Sequence, residues 1–377
     1  MEYKRYLNIF SSQSDYESQK DEVMDMPHVV LLEDTNEVIF ASKNKEIDYA
    51  LEFFTIEALE EGEVSFTFGS GADYADTLSY SLDNGQSWSE LQRESATPTL
   101  QKGDKIQFKT VFNKDYSSVC KFQTTMPFNA EGNIMSLLYG DDFKGKTTIN
   151  INDSCFSSCF QNSLIVSAEN LILPATTLAS KCYDNMFSNC TSLTTAPELP
   201  ATTLEWYCYG YMFDGCKSLT EAPQLPATTL ASGCYYSMFG DCTSLTEAPQ
   251  LPATTLASSC YINMFLRCTS LTETPELPAT TLKGWCYDRM FEGCTSLTSA
   301  PELPATTLEQ SCYYFMFNGC SKLNRIKMLA TDISAYNCLN YWVKGVASTG
   351  TFVKHKDMTS LSSGEDGIPE GWTVENA

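Results

Sequence analysis

Histidine is nearly absent: His28 and His355 are the only two in 377 residues. The commonest general base and metal ligand is therefore missing from most of the chain. Cations are scarce too, with 24 Lys and Arg against 47 Asp and Glu and a net charge of −23. Such a chain repels phosphate backbones and anionic lipid surfaces, so nucleic acid is not an expected partner. No apolar run approaches the roughly 18 residues that a membrane-spanning helix needs, and no membrane insertion is expected. The opening "MEYKRYLNIFSSQSDYESQKDEV" lacks an apolar core of roughly 7–15 residues followed by a small-residue cleavage site. It reads as neither a secretory signal nor a lipid anchor, which favours a chain that stays where it is made or is released by lysis. Glycine-rich phosphate loops and nucleophile–base pairs are also lacking, so the sequence predicts no enzyme, no cofactor and no metal centre.

What is present is ample core material, 43% hydrophobic and 12% aromatic residues, arranged in four segments. Residues 1–46 are mixed and charged, with a short helix expected after Ser14 and two strands on either side of "EDTN". This segment reads as an attachment or oligomerisation piece. Residues 47–128 alternate apolar and polar between turns ("EEG", "DNG", "KGD"), which predicts a small antiparallel β-sandwich. Within it Ser81, Asp83, Gly85 and Trp88 match the S-x-D-x-G-x-x-W pattern of an Asp-box, similar to sialidase hairpins. A single box, without further blades or an arginine cluster, implies a fold element and not a glycosidase. Residues 129–350 hold a repeat region and 351–377 a C-terminal cap.

The repeat is a 26-residue unit. "LPATTLASKCYDNMFSNCTSLTTAPE" starts at Leu173, with near copies from Leu199, Leu225, Leu251, Leu277 and Leu303. "SLTTAP.LP" reads as an extended strand limited by its prolines. "PATTL" reads as a turn with a threonine N-cap. Leu178, Cys182, Met186 and Cys190 then follow at intervals of four and read as one face of a helix. A strand and helix of this size cannot bury their apolar stripe alone, so the units are expected to stack as a curved α/β solenoid with strands on the inner side.

Met186, Phe187, Cys190 and Leu193, followed by a strand ending in proline, resemble the BspA-like leucine-rich repeats, of the kind found in gut-bacterial surface proteins and in fibres of their tailed phages. The resemblance implies a parallel-strand solenoid and a surface-exposed adhesion array, and implies no reaction. Ala196, Pro197 and Glu198 depart from the tighter strand of that family, which predicts a ragged ladder.

Twelve of the sixteen cysteines form pairs eight residues apart, about 12 Å if helical, too far for a disulfide within one unit. Buried thiols are the favoured reading; disulfides between units and metal ligation are the alternatives. The tyrosines after each first cysteine (Tyr183, Tyr209, Tyr235, Tyr261, Tyr287, Tyr313) suggest a half-buried ladder. The positions that drift between copies place Tyr211, Tyr236, Ile262, Arg289, Tyr314 and Phe315 outward, where solvent would favour charge, and these are the expected partner surface.

Together these readings predict a non-enzymatic virion structural protein, a phage head or tail fibre. Its N-terminal segment would bind a capsid or tail protein and its repeats a host-surface glycan or protein, as a homo-oligomeric dimer or trimer. A bacterial cell-surface or secreted adhesin is the alternative.

Overall fold

The computed structural model describes residues 6–10, 28–32, 37–41, 52–67, 77–110, 121–149 and 153–377, the first three segments as backbone only. β1 (Tyr6–Phe10) pairs in parallel with β2 (His28–Leu32), which pairs antiparallel with β3 (Glu37–Ala41). β2 and β3 are the strands expected around "EDTN"; the helix expected after Ser14 lies outside the described residues.

β4 (Phe54–Ala58), β6 (Thr77–Ser81), β7 (Ser89–Gln92), β8 (Lys105–Lys109) and β10 (Phe128–Asn133) form one sheet, joined at its edge by β11 (Ile165–Ile172) in the order β11-β10-β4-β8-β6-β7. All its pairs are antiparallel except β10–β11. β5 (Val64–Thr67) and β9 (Lys121–Thr124) form a second antiparallel pair. Phe122 of β9 meets Phe54 of β4 at 5.2 Å and Phe108 of β8 at 5.1 Å, so the two sheets share one aromatic core. β10 begins at Phe128, where the sequence placed the end of the sandwich, and carries the sheet directly into the first strand of the repeat region.

The Asp-box locks the β6–β7 turn. The Ser87 amide and hydroxyl donate to Asp83 at 2.8 and 2.6 Å, the Ser81 hydroxyl donates to Asp83 at 2.7 Å, and the Trp88 indole N–H donates to the Gly85 carbonyl at 3.2 Å. These bonds from Ser87 and Ser81 hold the Asp83 carboxyl down at about 2.

The helices expected in the repeats are not formed. Among the described residues the only α-helix is α1 (Ser136–Tyr139), ahead of the repeats. Each stretch read as a helix is a ribbon of consecutive turns. Between Cys182 and Cys190 the amides alternate in use. Cys182, Asp184, Met186, Ser188 and Cys190 donate to the carbonyl three residues back, while Tyr183, Asn185, Phe187 and Asn189 donate to Cys208, Gly210, Met212 and Asp214 of the next unit. Half the bonds close turns and half tie unit to unit, an arrangement closer to a sheet edge than to a helix. Lys181, Asn185 and Asn189 have φ of 54°, 58° and 58°, and the same three positions are positive in every later unit. Type II turns demand this at their third residue.

The ribbon turns two residues inward and two outward in every four. Cys182–Tyr183 and Met186–Phe187 are fully buried, while Asp184 and Asn185 between them are half-exposed. The inward rings stack from unit to unit. Phe156 leads a ladder through Tyr183, Tyr209, Tyr235, Tyr261, Tyr287 and Tyr313, the tyrosine rings 5.7 to 6.0 Å apart. The tyrosines are buried completely, not by half. A second ladder runs from Phe160 through Phe187, Phe213, Phe239, Phe265, Phe291 and Phe317 at 5.4 to 5.8 Å. Phe160 also meets Phe54 and Phe122, so this ladder begins in the sandwich core. Both ladders end on Trp342, 6.4 Å from Tyr313 and 6.2 Å from Phe317. Stacked aromatic pairs of this kind add roughly 0.5–1.5 kcal/mol each beyond their buried area.

On the opposite side, β12 (Ser299–Leu303), β13 (Arg325–Met328), β14 (Thr351–Lys354) and β15 (Thr373–Asn376) form a four-stranded parallel sheet. In earlier units the strand side keeps only isolated parallel bridges, such as Ser167↔Thr195 and Glu221↔Glu247, and β12 itself slips register against β13 between Ser299 and Glu302, across Pro301. The ragged ladder expected at "APELP" takes this form. Both sides are hydrogen-bonded from unit to unit, so the wider spacing of a stacked helix layer, which would bend the expected α/β solenoid, is missing.

Candidate functional site: the outward face of the turn ribbon

The six outward residues singled out by their drift all lie on the ribbon and are half-exposed. The structure gathers five of them into two clusters. In the first, Tyr211 meets Tyr236 at 5.1 Å, and Tyr236 stacks on Tyr207 at 5.3 Å. Tyr207 in turn packs edge-on against Trp206 at 4.9 Å. In the second, the Arg289 guanidinium sits 5.4 Å from the Tyr314 ring and 5.0 Å from Phe315. Phe315 continues to Tyr341 at 5.0 Å, with the Lys344 ammonium 4.9 Å from that ring. Ile262 lies between the clusters and joins neither; its carbonyl accepts from the Ser237 amide at 2.7 Å.

Sequence reasoning missed Trp206, Tyr207, Trp285, Tyr336 and Tyr341. Trp206 is 48% exposed and Tyr336 72%. Trp285 stands outside both clusters. The signal was present in the one or two residues before each first cysteine, which drift as freely as those after it. The helix reading hid that column because it assigned only one outward face.

Six of these residues occupy strained backbone. Tyr207, Tyr211, Trp285, Arg289, Phe315 and Tyr341 have φ of 53°, 53°, 58°, 52°, 52° and 53°. An L-residue there costs roughly 1–2 kcal/mol, which glycine avoids. Glycine does fill several equivalent positions, among them Gly215, Gly233, Gly293 and Gly319. At Gly233 the reason is a close approach: a Cβ would lie 2.4 Å from the Tyr207 ring.

Carboxylates flank the rings. Burial raises the Asp184 carboxyl above the usual range. Asp214 is pushed up to about 6 by burial and by the neighbouring Asp241, against the pull of Arg267. Asp288 reaches about 7 through burial, with Arg289 opposing and Glu292 adding to the shift. Arg267 holds Asp241 with two hydrogen bonds, its Nε at 2.6 Å from Oδ1.

The thiols lie beneath this face. All fifteen described cysteines are buried, and the repeat cysteines from Cys182 to Cys320 are free thiols. The second thiol of each unit donates to the phenylalanine carbonyl of the preceding unit: Cys216 to Phe187 at 3.1 Å, Cys242 to Phe213 at 3.1 Å, Cys268 to Phe239 at 3.0 Å. At the incomplete first unit Ser163 takes the cysteine position and lies 3.5 Å from the Cys190 sulfur. Among the described residues no three His, Cys, Asp or Glu side chains converge as metal ligands, and no helix is long and apolar enough to cross a membrane. No protein-family model, curated protein or solved structure matches the chain.

Proposed function

We propose that the chain is a non-enzymatic virion structural protein, a phage head or tail fibre, whose units form a solenoid of BspA-like leucine-rich repeats. The solenoid presents its outward ribbon to a host-surface glycan or protein. The observation that carries this reading is the set of bulky aromatic side chains held outward at positive φ, where glycine, asparagine or serine serves in sister units. Strain concentrated in exposed rings, in a repeat that folds without them, is the mark of a surface kept for contact. The N-terminal segment joins a capsid or tail protein, and the chain assembles as a dimer or trimer.

Two measurements test the proposal. Antibodies against the repeats should decorate phage particles in a lysate; labelling of bacterial envelopes alone would replace the virion with the cell-surface adhesin. The purified chain should also adhere to host cells, and a variant carrying Tyr211→Asn, Arg289→Asn and Phe315→Asn should not. Equal adhesion by the two proteins would refute the role of the outward face.

A further inference from the structure

The cluster around Trp206 has three features that together narrow its occupant. The first is a set of ring faces: Trp206, Tyr207, Tyr211 and Tyr236 lie in one connected group, and the Trp206 indole remains 48% exposed although the Lys181 ammonium sits 4.6 Å from its ring. The second is coordinated clearance. A Cβ at Gly210 would approach the Asp184 Oδ1 to 2.8 Å and Tyr207 to 2.9 Å; one at Gly233 would strike the Tyr207 ring; one at Gly240 would come within 2.4 Å of the Asp214 Oδ1. Three glycines in adjacent units thus clear space for the Tyr207 ring and two carboxylates together. The third is strain, since Tyr207 and Tyr211 both sit at φ 53°.

Ring faces bordered by carboxylate oxygens suit a ligand with flat apolar C–H faces and a rim of hydroxyl donors. That is the chemistry of a pyranose: the C–H face lies on an aromatic ring, and the hydroxyls donate to strong acceptors. The charge decides the kind of sugar. Asp184, Asp214 and Glu205 beside Trp206 outnumber the Lys181 ammonium over the indole, in a chain of net charge −23, and disfavour sialic and uronic acids. A protein partner fits less well, because it would have to bury these carboxylates with matching cations or leave them unpaired.

We propose that Trp206, Tyr207, Tyr211 and Tyr236, with Asp184 and Asp214, form a binding subsite for a neutral or N-acetylated hexose unit of a surface polysaccharide. The subsite rests on the reading of the outward face as an adhesion surface and names the ligand class that one end of that face takes.

The full chain is titrated with short neutral oligosaccharides of the malto-, cello-, galacto-, manno- and chito- series and, in parallel, with sialylated and oligouronate chains. Binding is read by saturation-transfer NMR and by tryptophan fluorescence. At least one neutral series should bind saturably, the acidic chains should not, and Trp206→Ala should weaken binding at least about tenfold. Val374→Ala, which trims an exposed apolar side chain in β15, away from the ribbon, should leave it unchanged. Tyr211→Asn keeps a residue that tolerates positive φ and should also weaken binding, which separates a lost ring from a damaged turn. Saturable binding of no neutral sugar, preference for the acidic chains, or undiminished binding by Trp206→Ala overturns the subsite. Adhesion of the intact chain to host cells, assayed alongside, tells the two ideas apart. Adhesion that survives Trp206→Ala and periodate treatment of the cells leaves the adhesion reading standing and sinks the sugar site. Sugar binding without adhesion does the reverse.

Discussion

Substitution at Ser259 distinguishes a turn ribbon from a helix by the sign of its effect. Ser259 lies within Leu256 to Cys268, at φ 61°, and its amide donates to the Gly284 carbonyl of the next unit at 3.1 Å. The equivalent residue one unit earlier is Gly233. If this stretch were helical, Ala would be the best residue here, Ser about 0.5 kcal/mol worse and Gly about 1 kcal/mol worse than Ala. In the ribbon the order inverts. Ser259→Gly removes a left-handed penalty of about 1–2 kcal/mol and adds back about 0.5–1 kcal/mol of unfolded-chain entropy, for a net gain of about 0.5 kcal/mol. Ser259→Ala keeps the penalty and is close to neutral. Ser259→Val adds a β-branched clash and loses about 1 kcal/mol or more. Each kcal/mol moves the melting temperature by roughly 2–4 °C in a domain of about 150–250 residues, the size of the whole repeat region. Urea and thermal melts of the three variants, followed by circular dichroism, should rank Gly at or above Ser and Ala, with Val last. The ranking Ala above Ser above Gly would refute the alternating hydrogen-bond scheme.

Two further outcomes follow from the buried groups. Burial pushes the thiols up, Cys190 to about 11 and Cys208 to about 12, so an aromatic disulfide reagent should find the twelve paired repeat cysteines from Cys182 to Cys320 almost unreactive in the folded chain and reactive after denaturation; disulfides among these twelve would break the ladders described above. Asp288 sits at about 7 when folded against an ordinary 3.8, chiefly through burial. Below about pH 4 both states are protonated and the group has no effect. As pH rises toward 7 the unfolded chain releases its proton before the folded chain does, so stability falls across that window. Melting temperature should therefore be higher near pH 5 than near pH 8, and Asp288→Asn should flatten this slope; a slope unchanged by Asp288→Asn would show the carboxyl to be solvated.

Much of the architecture was legible in the 26-residue period. Each copy carries the same inward set, and one unit cannot shelter Cys182, Tyr183, Met186 and Phe187 without the next. The antiparallel strands of residues 47–128 were equally plain, because their turns are written in Asp, Asn and Gly. The ribbon was not read, and the reason is arithmetic. Leu178, Cys182, Met186 and Cys190 repeat every four residues, while a helix advances about 100° per residue, so a spacing of four drifts by about 40° per step and about 120° over three. A stripe held at four over three steps, and again in five further units, is the wrong period for one helical face. The neighbouring stripe of Tyr183 and Phe187 repeats at four as well, which gives two inward and two outward residues per turn.

The same arithmetic explains why the outward aromatic face was only partly legible. On a helix Trp206 falls about 140° around from Tyr211, whereas on a ribbon of period four Trp206 and Tyr207 form one outward pair and Tyr211 occupies the same corner as Tyr207 one turn on. A further sign lay in residue type. The positive-φ corners from Ser154 to Gly345 include Gly, Asn, Ser, Asp, Lys, Arg, Tyr, Trp and Phe, but never Val, Ile or Thr. The threonine-rich remainder of each unit makes that exclusion visible. A helix has no such veto at every fourth residue, and a left-handed corner does. The aromatic residues admitted at those corners are unbranched at Cβ, so the backbone permits them without favouring them. The backbone alone therefore does not account for their presence, and the proposed ligand, laid across the rings, would.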